Sequence, residues 1–399
     1  MDNIAHSGRD KRVDFFRGLA LLTIYIDHVH PNFLASVTLK RFAFLDAADV
    51  FVFISGYVIG MVYTRELWRR GLKACFAKAF QRCSQIYRWH LAITAGTFLV
   101  LYCFARNGHY LPDSDLYTFF RAPISTCLLT ITLLHSPDYL NILPLYLILT
   151  AFAPVAVYFV DKRNRTFLAC SAAVYLAVQF IPGLTLQPHP GSLLHTLPVF
   201  NPLAWQFLFV FGILLGNLRQ RGHKWPAISR RWVVSLAAVA LLLIACVCFS
   251  ATSRWLEAVL RTDFWRVHLA GILSFNNKAR LGPLRLLNLV IFLVLIHPWR
   301  GTNGFWNSWL TRAIMRCGQN PLAVFGSGVL LSYTATLLLS EHPGSVLMQV
   351  YVNLVGCTAL IAVAVSAFDR KEHGSALYRV QRATRRLVWL SGVGQTGGQ

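Results

Sequence analysis

The stretch WVVSLAAVALLLIACVCFS, residues 232–250, runs for nineteen residues without a charged side chain. As a helix rising about 1.5 Å per residue, it matches the roughly 30 Å hydrocarbon core of a bilayer. Inside lipid every backbone N–H and C=O must be satisfied within the segment, so a run of this kind reads as a spanning helix. It sets the fold class: an all-α, polytopic membrane bundle. Working outward, nine further apolar stretches are candidates, at 13–33, 47–64, 89–105, 139–159, 166–182, 203–218, 283–298, 319–339 and 347–368. About ten transmembrane helices are therefore expected. The stretch 122–135 is shorter and fits a re-entrant or interfacial segment. Of the 399 residues 55% are hydrophobic and 14% charged, and mean hydropathy is +0.50. Those values exclude an intrinsically disordered chain and an ordinary soluble enzyme.

The remaining charge is lopsided, with 38 Lys+Arg against 16 Asp+Glu and a net charge of +22. In a soluble protein that excess points to nucleic acid. In an apolar chain it orients the protein in the membrane, and no nucleic-acid partner is expected. Counted between the candidate spans, alternate segments beginning with the N-terminal tail hold 27 Lys+Arg, the intervening ones hold 9, and Arg17 and Arg285 lie within spans. The bias predicts cytoplasmic termini and an even number of spans. The loop 251–282 runs against it, carrying Arg254, Arg261, Arg266, Lys278 and Arg280. Either that loop is functional or a boundary near it is misplaced. No apolar run precedes the first charges, so the first span is expected to act as its own insertion signal. The expected organisation is a basic cytoplasmic tail at 1–12, one integral membrane domain at 13–368, and a basic cytoplasmic tail at 369–399 with a disordered end. The nine cysteines are scattered, with no CxxC pair and no metal-type Cys/His spacing, and read as small packing residues. No metal is expected. There is no Walker loop, GxGxxG or internal repeat.

Ionisable residues within spans are costly and mark candidate chemistry. The first span reads RVDFFRGLALLTIYIDHVHPNFL, residues 12–34. With Asp14 at zero on a wheel of about 100° per residue, Arg17 falls at about 300°, Tyr25 at about 20° and His28 at about 320°. These four share a stripe, whereas Asp27 and His30 fall away from it. Neutral imidazole can take a proton from a hydroxyl near neutral pH, which makes His28 a candidate general base. A structural histidine bonding a neighbouring helix is the alternative. The second span opens DAADVFVFISGYVIG, residues 46–60. Asp46 and Asp49 can cap that helix, or one of them, or Asp27, can orient His28. Ser55-Gly56-Tyr57 permits a close helix approach. Asn141 at one span end, and Asn201, Trp205 and Gln206 at another, are either interface anchors or a carbohydrate platform. Gly318-Gln319-Asn320-Pro321 opens the ninth span, where free helix N-terminal amides can meet an anion.

At these residues the chain resembles the OpgC-type membrane proteins, which succinylate osmoregulated periplasmic glucans and are related to acyltransferase family 3. The resemblance rests on RVDFFRGLALLTIYIDH (12–28), DAADVFVFISGYVIG (46–60), QIYRWHL (85–91), NILPLY (141–146), FNPLAWQFLFVFGILLG (200–216), LGPLRLLN (281–288) and CGQNPLAVFGSGVLLSY (317–333). It implies a bundle of about ten spans in the bacterial inner membrane. It also implies a cytoplasmic acyl-CoA donor, succinyl-CoA, and a hydroxyl of a periplasmic or other surface glucan as acceptor. In the wider family an Arg and a His separated by ten residues on the first span form the functional pair, and Arg17 and His28 have that spacing. Carried over by position, Arg17 contacts the CoA phosphates and His28 acts as base, with Arg12 and Asp14 in the same motif.

The resulting expectation is a membrane O-acyltransferase. Arg12, Asp14 and Arg17 serve the donor, and His28 is oriented by Asp49, Asp27 or Asp46. Tyr57 or Asn141 donates to the developing oxyanion, and Asn201, Trp205 and Gln206 meet the glycan. Glycan-synthesis proteins are candidate partners beside the bilayer itself. A transporter exporting an acylated glycan or acyl group would also bury His and Asp residues, although repeat symmetry is lacking. A scaffold subunit would leave Arg17 and His28 individually dispensable.

Overall fold

Every regular element of the computed structural model is helical among the described residues, which are 10–106, 123–134, 137, 139–184, 200–223, 231–250, 275–297, 299 and 301–393. The expectations for residues 1–9, for 251–274 of the basic loop and for the C-terminal end 394–399 lie outside them. The principal helices are α1 Lys11–His28, α2 Ala47–Arg70, α3 Leu72–Arg106, α4 Pro123–Ile131, α5 Ile142–Phe180 and α6 Pro202–Gln220. They continue with α7 Arg231–Ser250, α8 Pro283–Ile296, α9 Trp309–Gln319, α10 Pro321–Glu341 and α11 Val346–Val393.

Six of these are long and apolar enough to cross a membrane: α2, α3, α5, α6, α10 and the portion Val346–Asp369 of α11. The difference from ten expected stretches has identifiable causes. The stretches 139–159 and 166–182 lie in one 39-residue helix, α5, whose backbone leaves helical geometry at Arg163 (φ −143°, ψ 55°). That break falls in the Lys162–Arg165 charge cluster. At about 1.5 Å per residue an unbroken α5 would be near twice the hydrocarbon thickness. Helix α1 carries too many charges for a purely apolar window, and α7 and α8 contribute shorter apolar stretches, Arg231–Ala245 and Pro283–Ile296. The basic segment 65–88, expected as a loop, is helical on both sides of Gly71. Gly71 has φ 79°, a left-handed geometry that glycine adopts without a steric penalty, and it separates α2 from α3 in a single residue. Within the stretch expected at 122–135, Pro123–Ile131 form the nine-residue α4.

Two glycine seams set the bundle. Gly56 and Gly60 of α2 lie against the backbone oxygens of Phe209 and Ile213, while Gly212 and Gly216 of α6 lie against those of Phe53 and Tyr57. The small-xxx-small spacing is reciprocal, so α2 and α6 run parallel in backbone contact. Beyond the glycines the same register brings Asn217 Nδ2 to Thr64 Oγ1 at 3.1 Å and Arg65 Nη2 to Gln220 Oε1 at 3.5 Å. The second seam joins α1 to α9, where Gly18 meets the backbone oxygen of Ile314 and Gly318 that of Asp14.

A side chain at either seam must push two backbones apart. Gly56→Ala or Gly212→Ala is expected to destabilise the detergent-solubilised protein by about 1–3 kcal/mol, the usual range for overpacking. Gly183→Ala, where an added Cβ meets nothing within 4 Å, is expected to leave the unfolding temperature unchanged. Equal behaviour of the three variants in a thermal melt would contradict the seam.

Candidate active site

Both ends of α1 are pinned. At its start Asp10 caps the helix, accepting the Arg12 N–H at 3.0 Å and pairing with the Arg12 guanidinium at 3.3 Å. Gln319 Nε2 donates to Asp14 Oδ2 at 3.0 Å. At its end the orphan carbonyls find side-chain partners, as a buried helix terminus requires. Asn32 Nδ2 donates to Ile26 O at 2.9 Å, and the His30 ring lies 3.2 Å from His28 O. Asn32 also exchanges amide hydrogen bonds with Asn353 of α11 at 3.0 and 2.9 Å. Asp27 is not turned to His28 by any hydrogen bond; it accepts from the Thr38 hydroxyl at 2.7 Å.

The polar stripe expected on α1 divides. Asp14 and Tyr25 face α9 and α11, where Tyr25 O–H donates to Val352 O at 2.7 Å. Arg17 is buried with its guanidinium 5.5 Å from the Phe51 ring centroid of α2. The roughly 60° between the two pairs on the wheel suffices for this.

His28 is half-buried. Its ring stacks on Tyr139, with centroids 4.3 Å apart and planes at 24°. Lys278, Asp46, His30 and Lys40 lie near enough for their charges to act on the imidazole. The carboxylate expected to orient it is engaged elsewhere. Asp49 Oδ2 accepts from Arg285 Nη2 at 2.5 Å, and Asp49 Oδ1 from Arg285 Nε at 3.3 Å. Asp46 Oδ2 pairs with Arg285 at 3.1 Å and with Lys278 Nζ at 2.8 Å. Burial would raise the Asp46 carboxyl, but the charges of Lys278 and Arg285 outweigh it and hold the group below the usual carboxylate range. Asp46 and Asp49 also form the capping box of α2, with Asp46 accepting from Ala48 N and Asp49 from Asp46 N. Among the described residues, Asp49, Asp46 and Asp27, the three expected to orient His28, bond other partners. Each is committed to capping, to Arg285 and Lys278, or to Thr38.

Two of the residues expected as a sugar platform, Trp205 and Asn201, hold the chain segment at 278–279. Trp205 is fully buried, its ring 4.9 Å from Phe200, and its indole N–H donates to Lys278 O at 3.1 Å. The Asn201 backbone N–H donates to Ala279 O, Gln179 to Arg280 O, and the Tyr175 hydroxyl to Leu281 O. Four successive carbonyls are caught in this way, which presents Lys278 and Arg285 to the aspartates. Asn201 also caps α6 through Leu203 N, and Gln206 exchanges hydrogen bonds with Ser171. Trp205 and Asn201 are buried and Gln206 half-buried, and all three hydrogen-bond within the chain. Asn141 stands at the first turn of α5 with no side-chain cap bond, two residues from Tyr139.

The opposite end of the bundle is basic. A cavity of about 510 Å³ is lined by Arg17, Arg65, Lys78 and Arg219, with Asp10, Asp14 and Glu66 among the other lining groups. Beside it an apolar cleft of about 130 Å³ passes between α1, α2 and α8, lined by Phe16, Val50, Phe53, Ile54 and Leu289, with Asp10, Arg12 and His297 also on its wall. Tyr57 lines this cleft with Arg12. It stands ten residues into α2, about 15 Å of rise from the start of that helix. Arg82 and Arg17 both lie close enough to Tyr146 for their charges to act on its hydroxyl. Sequence reading missed Arg65, Lys78, Arg82, Arg219, Tyr139 and Tyr146 as individual site residues. The glycine spacings at 56/60 and 212/216 carried the signal for Arg65 and Arg219, because continuing that register brings those ends of α2 and α6 together.

A model of the OpgC protein family matches residues 9–372 of the chain. No curated protein and no solved structure matches it.

The aspartate–arginine network generates a prediction. Removing one partner leaves a buried charge uncompensated, which typically costs about 3–5 kcal/mol. Asp49→Ala or Arg285→Met alone is expected to lower folded yield and thermal stability by that order. The Asp49→Ala/Arg285→Met pair is expected to recover much of it, since no lone charge then remains. An additive loss in the double variant would argue against direct coupling.

Proposed function

Because the chain belongs to the OpgC family, we propose that it is a membrane O-acyltransferase moving a succinyl group from cytoplasmic succinyl-CoA to a hydroxyl of a periplasmic glucan. The reading places ten spans in the bacterial inner membrane, with basic tails at 1–12 and 369–399 in the cytoplasm and the catalytic domain at 13–368. It also keeps the relation to acyltransferase family 3 suggested by the Arg17–His28 spacing.

One observation carries this reading. The same helix bears a buried Arg17 on a basic cavity and, eleven residues on, a half-buried His28 with no side-chain hydrogen bond to its ring among the described residues. The rise between them is about 16 Å, a span for the extended arm of an acyl-CoA whose phosphates stay at the basic end. Arg17, Arg65, Lys78 and Arg219 supply the positive charge for those phosphates, and Arg12 and Asp14 flank the entrance. His28 takes the proton of a sugar hydroxyl as its oxygen attacks the thioester carbonyl. The C–S bond then breaks, the thiolate leaves and recovers the proton from the imidazolium, and an ester remains on the sugar. Asn141, at the same end, is the side chain assigned to the oxyanion. The glucan arrives as substrate from the His28 side.

His28→Ala is expected to reduce acyl transfer by about 10²- to 10⁴-fold, the usual contribution of a general base, without loss of membrane insertion. Arg17→Ala is expected mainly to raise KM for the acyl-CoA. Mass spectrometry of periplasmic glucans, comparing cells with and without the protein, should show a difference of one succinyl unit. Purified wild-type protein in detergent should catalyse the same transfer. A transporter would catalyse none, and full glucan succinylation by His28→Ala would remove the assigned base.

A further inference from the structure

We propose that Tyr139 is the positioning residue for His28, using an aromatic face where other catalytic imidazoles use a carboxylate. The inference rests on the assignment of His28 as base and concerns what holds its ring. Three observations carry it. The two rings overlap with centroids 4.3 Å apart and planes at 24°, the geometry of an offset stack. The nearby carboxylates are spent, Asp46 and Asp49 on Lys278 and Arg285 and Asp27 on Thr38. The Tyr139 backbone lies at φ 70°, in the left-handed region that a bulky side chain rarely occupies.

That conformation persists only where the surroundings over-determine it. Here they do. Leu140 is fully buried, its N–H donates to Pro137 O at 3.1 Å, and its own carbonyl accepts from Leu143 N at 2.9 Å. Tyr333 of α10 backs the Tyr139 ring with centroids 5.2 Å apart. The three rings come from α1, from the turn before α5 and from α10, so the stack ties the turn to two helices that already pack together through Ser332 Oγ on Tyr25 O. A stacked face restricts rotation of the imidazole while leaving its edge nitrogens open for a hydroxyl. A carboxylate partner would occupy one of those nitrogens.

The test compares Tyr139→Phe, Tyr139→Leu and Tyr139→Gly in the full-length protein, with His28→Ala as the reference. Succinyl transfer from succinyl-CoA to glucan is measured in detergent. Tyr139→Phe keeps the stack and is expected to retain kcat within about twofold. Tyr139→Leu lets the ring wander, and kcat is expected to fall about 10- to 100-fold, the scale of a small misplacement of a catalytic group, with both KM values little changed. Tyr139→Gly relieves the left-handed backbone, so it is expected to fold at least as well as Tyr139→Leu and to show the same loss of kcat. Full kcat in Tyr139→Gly or Tyr139→Leu would overturn the inference, as would equal losses in Tyr139→Phe and Tyr139→Leu. If His28→Ala itself kept full activity, the assignment of the base would fail instead.

Discussion

A guanidinium and two carboxylates taken out of water together set the geometry at one end of this bundle. Arg285 is 6% exposed on its side chain, Asp49 1% and Asp46 12%. Desolvating ions costs several kcal/mol each, so the arrangement stands only when every partner arrives. Asp49 meets Arg285 through both oxygens, and Asp46 meets Arg285 and Lys278. Lys278 and Arg285 arrive because α5 and α6 grip the carbonyls of residues 278–281. That grip depends on the polar turn at the start of α6. The glycine seam then locks α6 to α2, whose capping box contains the same two aspartates. The network therefore closes on itself. Loss of one member would be felt at the start of α2, and from there at the packing of α1.

Capping and ion pairing by the same carboxylates has a chemical consequence. An aspartate that satisfies a helix N-terminus and a buried guanidinium has little capacity left for a third role. The imidazole beside it is held by packing, through a ring stack and through the side chains that pin the end of α1. The charges of Lys278, Asp46 and Lys40 lie near it as well.

Much of the architecture was legible in the sequence because it depends on local composition. Apolar runs marked the helices, and the charge excess marked one end of the bundle, where Arg65, Lys78 and Arg219 line a cavity. What failed depended on partners distant in the chain. Asp49 and Arg285 stand 236 positions apart; Asp49 read as a cap or a partner of His28, and Arg285 only as a charge within a span. Trp205, Asn201 and Gln206 have the side chains of a sugar platform, but their partners include backbone carbonyls, which every residue carries and no motif announces. Tyr139 was silent because its role depends on a positive φ that the surrounding Tyr-Leu-Asn does not dictate. On α1 the wheel put four residues on one stripe, yet about 60° within it separates contacts to α9 and α11 from contacts to α2 and the Tyr139 turn.

The first helix therefore acts as a ruler rather than as a single site. A helix fixes the distance between two residues with little latitude, and here each end is anchored by different elements: the basic end by Asp10, Gln319 and the Gly18–Gly318 contact, the other by Asn32, His30 and Thr38. Neither set of anchors can slide without the other. Under the proposed donor geometry, the rise from Arg17 to His28 sets the reach of the acyl arm at about 16 Å. It also explains how a chain with so few charged residues can join two chemical tasks, since the distance between them is held by backbone hydrogen bonds and the side chains need only serve their own ends.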